Sequence, residues 1–365
     1  MSAPTVLVMA AGTGGHIFPA LSIARLLQAK GATVEWLGTP AGMENQVLES
    51  TGITLNRLPV SGLRGKGKLA LIKAPFMLVS SVWQALALMR RIRPSCVLGM
   101  GGYVTGPGGL AAWLLRRPLI IHEQNAVAGL SNRLLAPLAT LVLEAFPGTF
   151  VSAKKVMYTG NPVRADIAAL GATAREHFDG NRRLRLLVLG GSLGAAALNE
   201  TVPEVAGLPQ MKSYLEVWHQ TGKGKTDAAL AQYKKADMAP DANLRVVPFI
   251  EDMAQAYKWA DVVVCRAGAG TVFELAAAGM PSVLIPYPHA VDDHQTGNAH
   301  WLADNGAAVL LPQGELNLQN LTDILMKFID NPSSLAAMAE AALAQALPDA
   351  AEKLATVCLE VCHGR

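Results

Sequence analysis

Short apolar runs separated by stretches of helical periodicity recur along the whole chain, and they come in two sets. The first set is Thr5 to Ala11, Thr33 to Leu37, Leu55 to Val60, Cys96 to Gly99, Leu119 to His122 and Leu141 to Glu144. The second is Leu184 to Leu189, Tyr214 to Trp218, Leu244 to Val247, Val262 to Cys265, Val283 to Ile285 and Ala308 to Leu311. Apolar strands that alternate with helices need cover on both faces, which a parallel sheet between two layers of helices provides. The expected fold class is α/β, with two Rossmann-like, doubly wound parallel-sheet domains. Each set opens alike, strand then glycine-rich turn then helix, at Val6 to Ile17 and at Leu186 to Asn199. Between them Gly160-Asn161-Pro162-Val163-Arg164 reads as a linker, because glycine and proline end regular structure there. A chain of 365 residues also exceeds what one core usually fills. The expected division is one domain over residues 1–163, a second over 164–340, and a helical tail over 341–365 able to pack back on the first. Open parallel sheets bind ligands beyond the carboxyl ends of their strands, so both glycine loops are expected to look into a cleft between the domains.

Composition narrows the setting. Hydrophobic residues make up 51% of the chain and charged ones 16%, which argues against disorder. The stretch from Ala74 to Met89 has no charge, yet it is short for a membrane span, holds Ser80, Ser81 and Gln84, and is bracketed by Lys73 and Arg90. No spanning helix is expected. The N-terminus enters a strand without the basic and apolar regions of a secretory signal, which predicts a cytosolic chain. The four cysteines suit that compartment. Cys358, Cys362 and His363 share helical spacing but lack a second ligand cluster, so neither zinc nor a disulfide is expected.

Charge is unevenly divided. Residues 1–160 carry +10, with 15 Lys and Arg against 5 Asp and Glu, while residues 161–365 carry −7, with 16 against 23. Phe76, Val79, Trp83 and Leu86 follow helical spacing, and Arg64, Lys66, Lys68, Lys73, Arg90, Arg91 and Arg93 flank them. An apolar stripe set among basic residues points to an anionic membrane surface rather than to nucleic acid.

Two glycine-rich segments carry the chemistry. Gly12-Thr13-Gly14-Gly15-His16 joins an anion cradle at a helix start to a titratable base. It is not a dinucleotide fingerprint, since Ile17 takes the third glycine position and the second strand ends Trp36-Leu37-Gly38-Thr39 without an acid. Gly62 to Leu69 approaches a phosphate-binding P-loop, but Leu69 stands where a magnesium-ligating hydroxyl is required. The stronger nucleotide signal is Arg266 to Glu274. Its small residues let a diphosphate approach a helix start, and Glu274, one turn in, suits two ribose hydroxyls. Downstream, His289, Asp292, Asp293, His294, Gln295 and Asn298 supply polar groups suited to a sugar.

Taken in order, GTGGHIFPA, GMGGYVTGPGG, HEQNAVAGLSNR, GNPVR, GGSLGA, PFI, RAGAGTVFELAAAG and HQTGNA resemble the motif set of the bacterial peptidoglycan N-acetylglucosaminyltransferases, from residue 12 to residue 299. That family moves GlcNAc from UDP-GlcNAc onto undecaprenyl-diphospho-N-acetylmuramoyl-pentapeptide, turning lipid I into lipid II. The resemblance implies a GT-B fold, an inverting reaction without a covalent intermediate, an acceptor and membrane-facing first domain, and a UDP-GlcNAc-binding second domain. It implies His16 as base for the acceptor 4-hydroxyl, with Glu123 assisting, and Gly14, Gly15, Tyr103 and Asn125 near the acceptor. UDP-GlcNAc would be held by Thr13, Gly14, Gly15, Asn125, Arg164, Ser192, Ala269 and Gly270. Ile250 would meet the uracil, Thr271 the phosphates, Glu274 the ribose, and His294, Gln295 and Asn298 the sugar. His294 stands where some members carry glutamine. No resident cofactor or metal site is implied, and divalent-ion dependence is left open. The implied partners are lipid I in the cytosolic leaflet, the anionic membrane surface, UDP-GlcNAc, and proteins of cell-wall synthesis and division, with peripheral attachment to the cytoplasmic side of the inner membrane and no nucleic acid. Rival readings are another GT-B glycolipid glycosyltransferase, a UDP-GlcNAc 2-epimerase and a non-catalytic sugar-nucleotide sensor; the basic, apolar first half favours a membrane-bound acceptor.

Overall fold

The structure, a computed structural model, describes residues 3–12, 14–60, 68–150, 155–173, 175–191 and 194–364, with the backbone alone for 68–75. The chain divides into two compact units, Met1–Val163 with Leu347–Arg365, and Arg164–Ala346. In the first unit the strands are β1 (Thr5–Ala10), β2 (Thr33–Gly38), β3 (Thr54–Arg57), β4 (Cys96–Gly101), β5 (Leu119–Glu123), β6 (Leu141–Glu144) and β7 (Val156–Tyr158). Among the described residues they form a seven-stranded parallel sheet of order β3-β2-β1-β4-β5-β6-β7. The second unit has β8 (Leu184–Leu189), β9 (Leu215–Gln220), β10 (Leu244–Val247), β11 (Val262–Cys265), β12 (Ser282–Leu284) and β13 (Ala308–Leu310). These form a six-stranded parallel sheet of order β10-β9-β8-β11-β12-β13. Both sheets are of the expected class. Strand β7 was not foreseen, because three residues at an edge show too little periodicity to read.

The period-two alternation of β1 and β4 sorts the first core into two layers. Val6, Val8, Cys96 and Leu98 face the helices Gly14–Ala29 and Ala350–Cys362, while Leu7, Met9 and Val97 face Lys68–Ile92 and Thr105–Leu114. In the second unit Leu186 and Val188 pack on Leu198, Val202, Leu321 and Leu325. The C-terminal segment is shared between the units. Helix Ser333–Ala344 keeps Leu335 and Met338 in the second core, so the return to the first unit falls at Leu347 rather than at 341. Helix Ala350–Cys362 then buries Leu354, Ala355, Val357 and Cys358 in the first core, with Lys30 pairing to Glu352 and Lys353 Nζ donating to Tyr158 O at 2.8 Å. Cys362 Sγ lies 2.9 Å from Cys96 Sγ, both as free thiols.

Helix Lys68–Ile92 exposes Phe76 by 77% and Trp83 by 64%, with Val79 and Leu78 also exposed. Leu86, expected on the same stripe, turns partly into the core. Arg91 donates to Asn56 Oδ1 at 2.9 Å. The positions 61–67 lie outside the described residues, as do the side chains of Lys68 and Lys73. Among the described residues no helix is long and apolar enough to cross a membrane.

Because Leu354 is fully buried between sheet and helix, Leu354→Ala should destabilise the first unit by about 2–5 kcal/mol. In urea unfolding followed by near-ultraviolet circular dichroism, the transition of that unit should move to lower denaturant.

Candidate active site

In the first unit the polar residues collect where β1, β2, β4 and β5 end. The helix after β1 begins at Gly14, so His16 sits in its first turn, earlier than the helical stretch from Ile17 read in the sequence. Thr13 lies outside the described residues. Gly12 N donates to Glu44 Oε2 at 3.4 Å, and Glu44 Oε1 accepts from Thr39 N at 2.6 Å and Thr39 Oγ1 at 2.8 Å. One amide of the expected anion cradle is thus turned inward onto a buried carboxylate, which narrows the cradle to the helix start itself.

His16 Nδ1 lies 3.1 Å from Gln124 Oε1. The ring fits because the end of β4 lacks side chains: a Cβ on Gly101 would come within 2.5 Å of His16 Nδ1, and one on Gly102 would strike Ala11 O. Both have positive φ, +107° and +84°, where glycine is unstrained. Tyr103 follows, largely exposed.

Glu123 is placed differently from the expected catalytic assistant. It is buried at the end of β5, where Oε1 accepts from Asn125 N at 3.0 Å and Asn125 Nδ2 at 3.3 Å. Oε2 accepts from Gly129 N and Asn132 Nδ2, both at 2.9 Å. Its carboxylate therefore clamps the Asn125–Gly129 turn, and Asn125 is positioned through it.

In the second unit the helix Ala269–Ala277 follows β11, and its N-cap Gly268 is extended with no side-chain cap. A Cβ on Gly270 would meet nothing within 4 Å, so the first turn is open at Gly270. Glu274 accepts from Tyr257 Oη at 3.0 Å, and Arg164 Nε stands 4.0 Å from its other oxygen. Burial raises the Glu274 pKa, partly offset by Arg164 and by the Tyr257 bond. Arg164 Nε and Nη2 are buried with no hydrogen-bond partner among the described residues, so two donors wait beside this carboxylate. Ile250 is buried just after β10.

Other expected donor residues are engaged locally. Gln295 Oε1 accepts from Tyr287 N at 2.9 Å, and the buried Asn298 donates to Ala267 O at 3.1 Å. His294 Nδ1 lies 2.8 Å from Val291 O, in its own turn. Arg266 is bonded to Ile285 O, Pro286 O and Gln313 Oε1 and lies over Tyr287, so it serves the scaffold. Ser192 lies outside the described residues.

The structure thus brings Gly14, Gly15, His16, Tyr103, Glu123 and Asn125 to strand ends of the first unit, and Arg164, Ala269, Gly270, Thr271 and Glu274 to one helix start of the second. Sequence reasoning missed Glu44, His122, Gln124 and Tyr257. His122 and Gln124 stood inside a quoted motif; nothing at the level of spacing pointed to Glu44 or Tyr257. Deleting the Tyr257 hydroxyl in Tyr257→Phe removes a bond that favours ionised Glu274. The Glu274 pKa should then rise further, read by carbon-13 carboxyl titration.

Comparison with known proteins places this geometry. The glycosyltransferase family 28 N-terminal domain matches residues 6–144 and the family 28 C-terminal domain residues 185–354. A Stutzerimonas stutzeri protein named UDP-N-acetylglucosamine--N-acetylmuramyl-(pentapeptide) pyrophosphoryl-undecaprenol N-acetylglucosamine transferase is 54% identical over 364 residues, covering 99% of this chain and 100% of its own. The crystal structure of Acinetobacter baumannii MurG aligns with TM-score 0.81 and 42% identity, over 98% of this chain and 99% of that one. A putative UDP-N-acetylglucosamine 2-epimerase from Listeria monocytogenes aligns with TM-score 0.70 over 100% of this chain and 98% of that one, and at 14% identity it shares the fold alone. The chain belongs to glycosyltransferase family 28 and, within it, to the family of UDP-N-acetylglucosamine--N-acetylmuramyl-(pentapeptide) pyrophosphoryl-undecaprenol N-acetylglucosamine transferases.

Proposed function

We propose that this chain transfers GlcNAc from UDP-GlcNAc to the 4-hydroxyl of MurNAc in undecaprenyl-diphospho-MurNAc-pentapeptide, the reaction in its relatives' name, with inversion and release of UDP. The observation that carries the reading is the posture of His16. Nδ1 is occupied by Gln124, and Nε2 bonds to no described residue. His16 Nε2 takes the proton of the acceptor hydroxyl as its oxygen bonds to the anomeric carbon and the bond from that carbon to the diphosphate breaks. Asn125 and Tyr103 position the acceptor beside it, and Glu123 acts through the turn it clamps.

The second unit holds the donor in this reading. The N–H groups at Ala269, Gly270 and Thr271, with the positive end of their helix, meet the diphosphate. Glu274 accepts from the ribose hydroxyls, Arg164 supplies the N–H groups that have no hydrogen-bond partner among the described residues, and the Ile250 backbone reads the uracil. Gln295 and Asn298 hold the backbone turns that face the sugar. Ser192, outside the described residues, is a further donor contact in this reading.

The acceptor's lipid requires the enzyme to work at a membrane surface. Phe76, Val79 and Trp83 are the side chains that enter it, with nearby basic residues meeting anionic headgroups, on the cytoplasmic face where nucleotide sugars are made. Proteins of cell-wall synthesis and division are the further partners this position suits.

UDP release measured with UDP-GlcNAc and a short-chain lipid I analogue should depend on the acceptor; epimerised UDP-sugar without acceptor would replace this reading with the epimerase. His16→Ala should lower kcat by about 10²-fold or more and leave UDP-GlcNAc affinity intact; unchanged turnover would remove the base assignment. Phe76→Ser with Trp83→Ser should reduce co-sedimentation with phosphatidylglycerol vesicles while activity on a water-soluble acceptor persists. Full vesicle binding by that double variant would refute the apolar contact.

A further inference from the structure

We infer that Gln124 is a positioning residue that fixes the tautomer of His16, so that Nδ1 carries the proton and Nε2 presents the lone pair. The inference rests on the reading of His16 as the base. Its ground is a line of hydrogen bonds inside the first unit whose two fixed points are backbone carbonyls, which only accept.

At one end His122 Nε2 lies 3.0 Å from Gly160 O, so that nitrogen bears the proton. A neutral imidazole has a single N–H, which leaves His122 Nδ1 as an acceptor. The group facing it at 3.3 Å is Gln124 Nε2. The same amide nitrogen lies 2.6 Å from Met100 O, an independent carbonyl that requires a donor in the same place. Two separate contacts thus set the Gln124 amide in one orientation, with Oε1 turned to His16 Nδ1 at 3.1 Å. An amide oxygen only accepts, so His16 Nδ1 must donate, and the basic pair of the neutral ring falls on Nε2.

The line keeps its polarity with pH because burial, partly offset by the Gly160 bond, pushes His122 down to about 4. Free neutral histidine in water favours the opposite tautomer, so the protein works against the ring's own preference. A carboxylate at position 124 would orient the ring equally well but would raise its pKa by favouring the cation. The neutral amide orients the ring without placing a charge beside it. His122 is a titratable group that interacts with the His16 ring. Of the carboxylates at neighbouring strand ends, Glu123 is bonded within its own loop, while Glu44 accepts from Thr39 and from Gly12 N in the loop that carries His16.

The test uses the full-length protein with nitrogen-15-labelled histidine. In the wild type, His16 should show a protonated Nδ1 and an unprotonated Nε2 above its pKa; an Nε2–H signal overturns the inference. In Gln124→Met the His16 tautomer should shift toward Nε2–H, and kcat should fall about 10- to 100-fold with KM for UDP-GlcNAc unchanged. A merely structural role would lower the melting temperature without moving the tautomer of the folded protein, and that result also overturns the inference. Gln124→Glu is the second variant. It keeps an acceptor for Nδ1–H, so the tautomer should persist while the acidic limb of the kcat/KM pH profile moves to higher pH; an unmoved limb counts against Gln124. Normal turnover by His16→Ala would instead remove the base reading, leaving the tautomer measurement as a separate fact.

Discussion

Parallel pairing of strands buried on both faces leaves polar side chains in this chain only one kind of place to work. The interior of β1 and β4 is lined by residues with no exposed surface, so a charge there would have neither water nor a partner. At the carboxyl ends the backbone leaves the sheet, and the polar residues gather: Glu44, Thr39, His16, Gln124, Glu123 and Asn125 in the first unit. Even there burial demands satisfaction. Glu123 and Glu144, closing adjacent strands β5 and β6, each accept from two backbone amides of the loop that follows. Such carboxylates hold loops in shape, and one of these loops begins at Asn125, which the proposed reading sets beside the acceptor.

The surroundings of His16 and of Glu274 differ in how their polar groups are paired. Around His16 the side chains of Gln124 and His122 end on the carbonyls of Met100 and Gly160, and the ring's orientation follows from that line. Around Glu274 the pairing is left unfinished. Among the described residues Arg164 has two buried nitrogens without a hydrogen-bond partner, and the helix start at Gly268 has no side-chain cap. Unpaired buried donors cost roughly 1–3 kcal/mol each, a cost that an acceptor-rich ligand such as a nucleotide diphosphate relieves on binding. In the proposed reading the linked groups orient the base that takes one proton, and the groups left without hydrogen bonds receive the ligand.

Much of the scaffold was legible because it depends on local pattern. The strand from Leu184 to Leu189 and the one from Val262 to Cys265 were read to the residue, since apolar periodicity stops where the strand stops. Strand β7 escaped, as an edge strand of three residues pairs through its backbone and needs no pattern. The glycine loop was read as an anion cradle at a helix start, and the structure shows that Gly12 donates its amide to Glu44, 32 residues away. Glu123 was read as an assistant to catalysis because a motif shows a carboxylate, not whether its oxygens are already taken.

What the sequence determined alone was the order of strands and helices, the two-fold repetition of that order, the family motifs and the residue types at each strand end. These follow from periodicity and from the chemistry of single side chains. Tertiary structure decided which nitrogen of His16 is basic, which carboxylates are clamps, and that the last helix completes the first core. Each depends on partners distant in the chain, Met100 and Gly160 for Gln124 and His122, Gln124 for His16, and β4 for the Leu354 helix. A hydrogen bond or a buried contact acts only over a few ångströms, so its sense exists only once the fold has closed that distance.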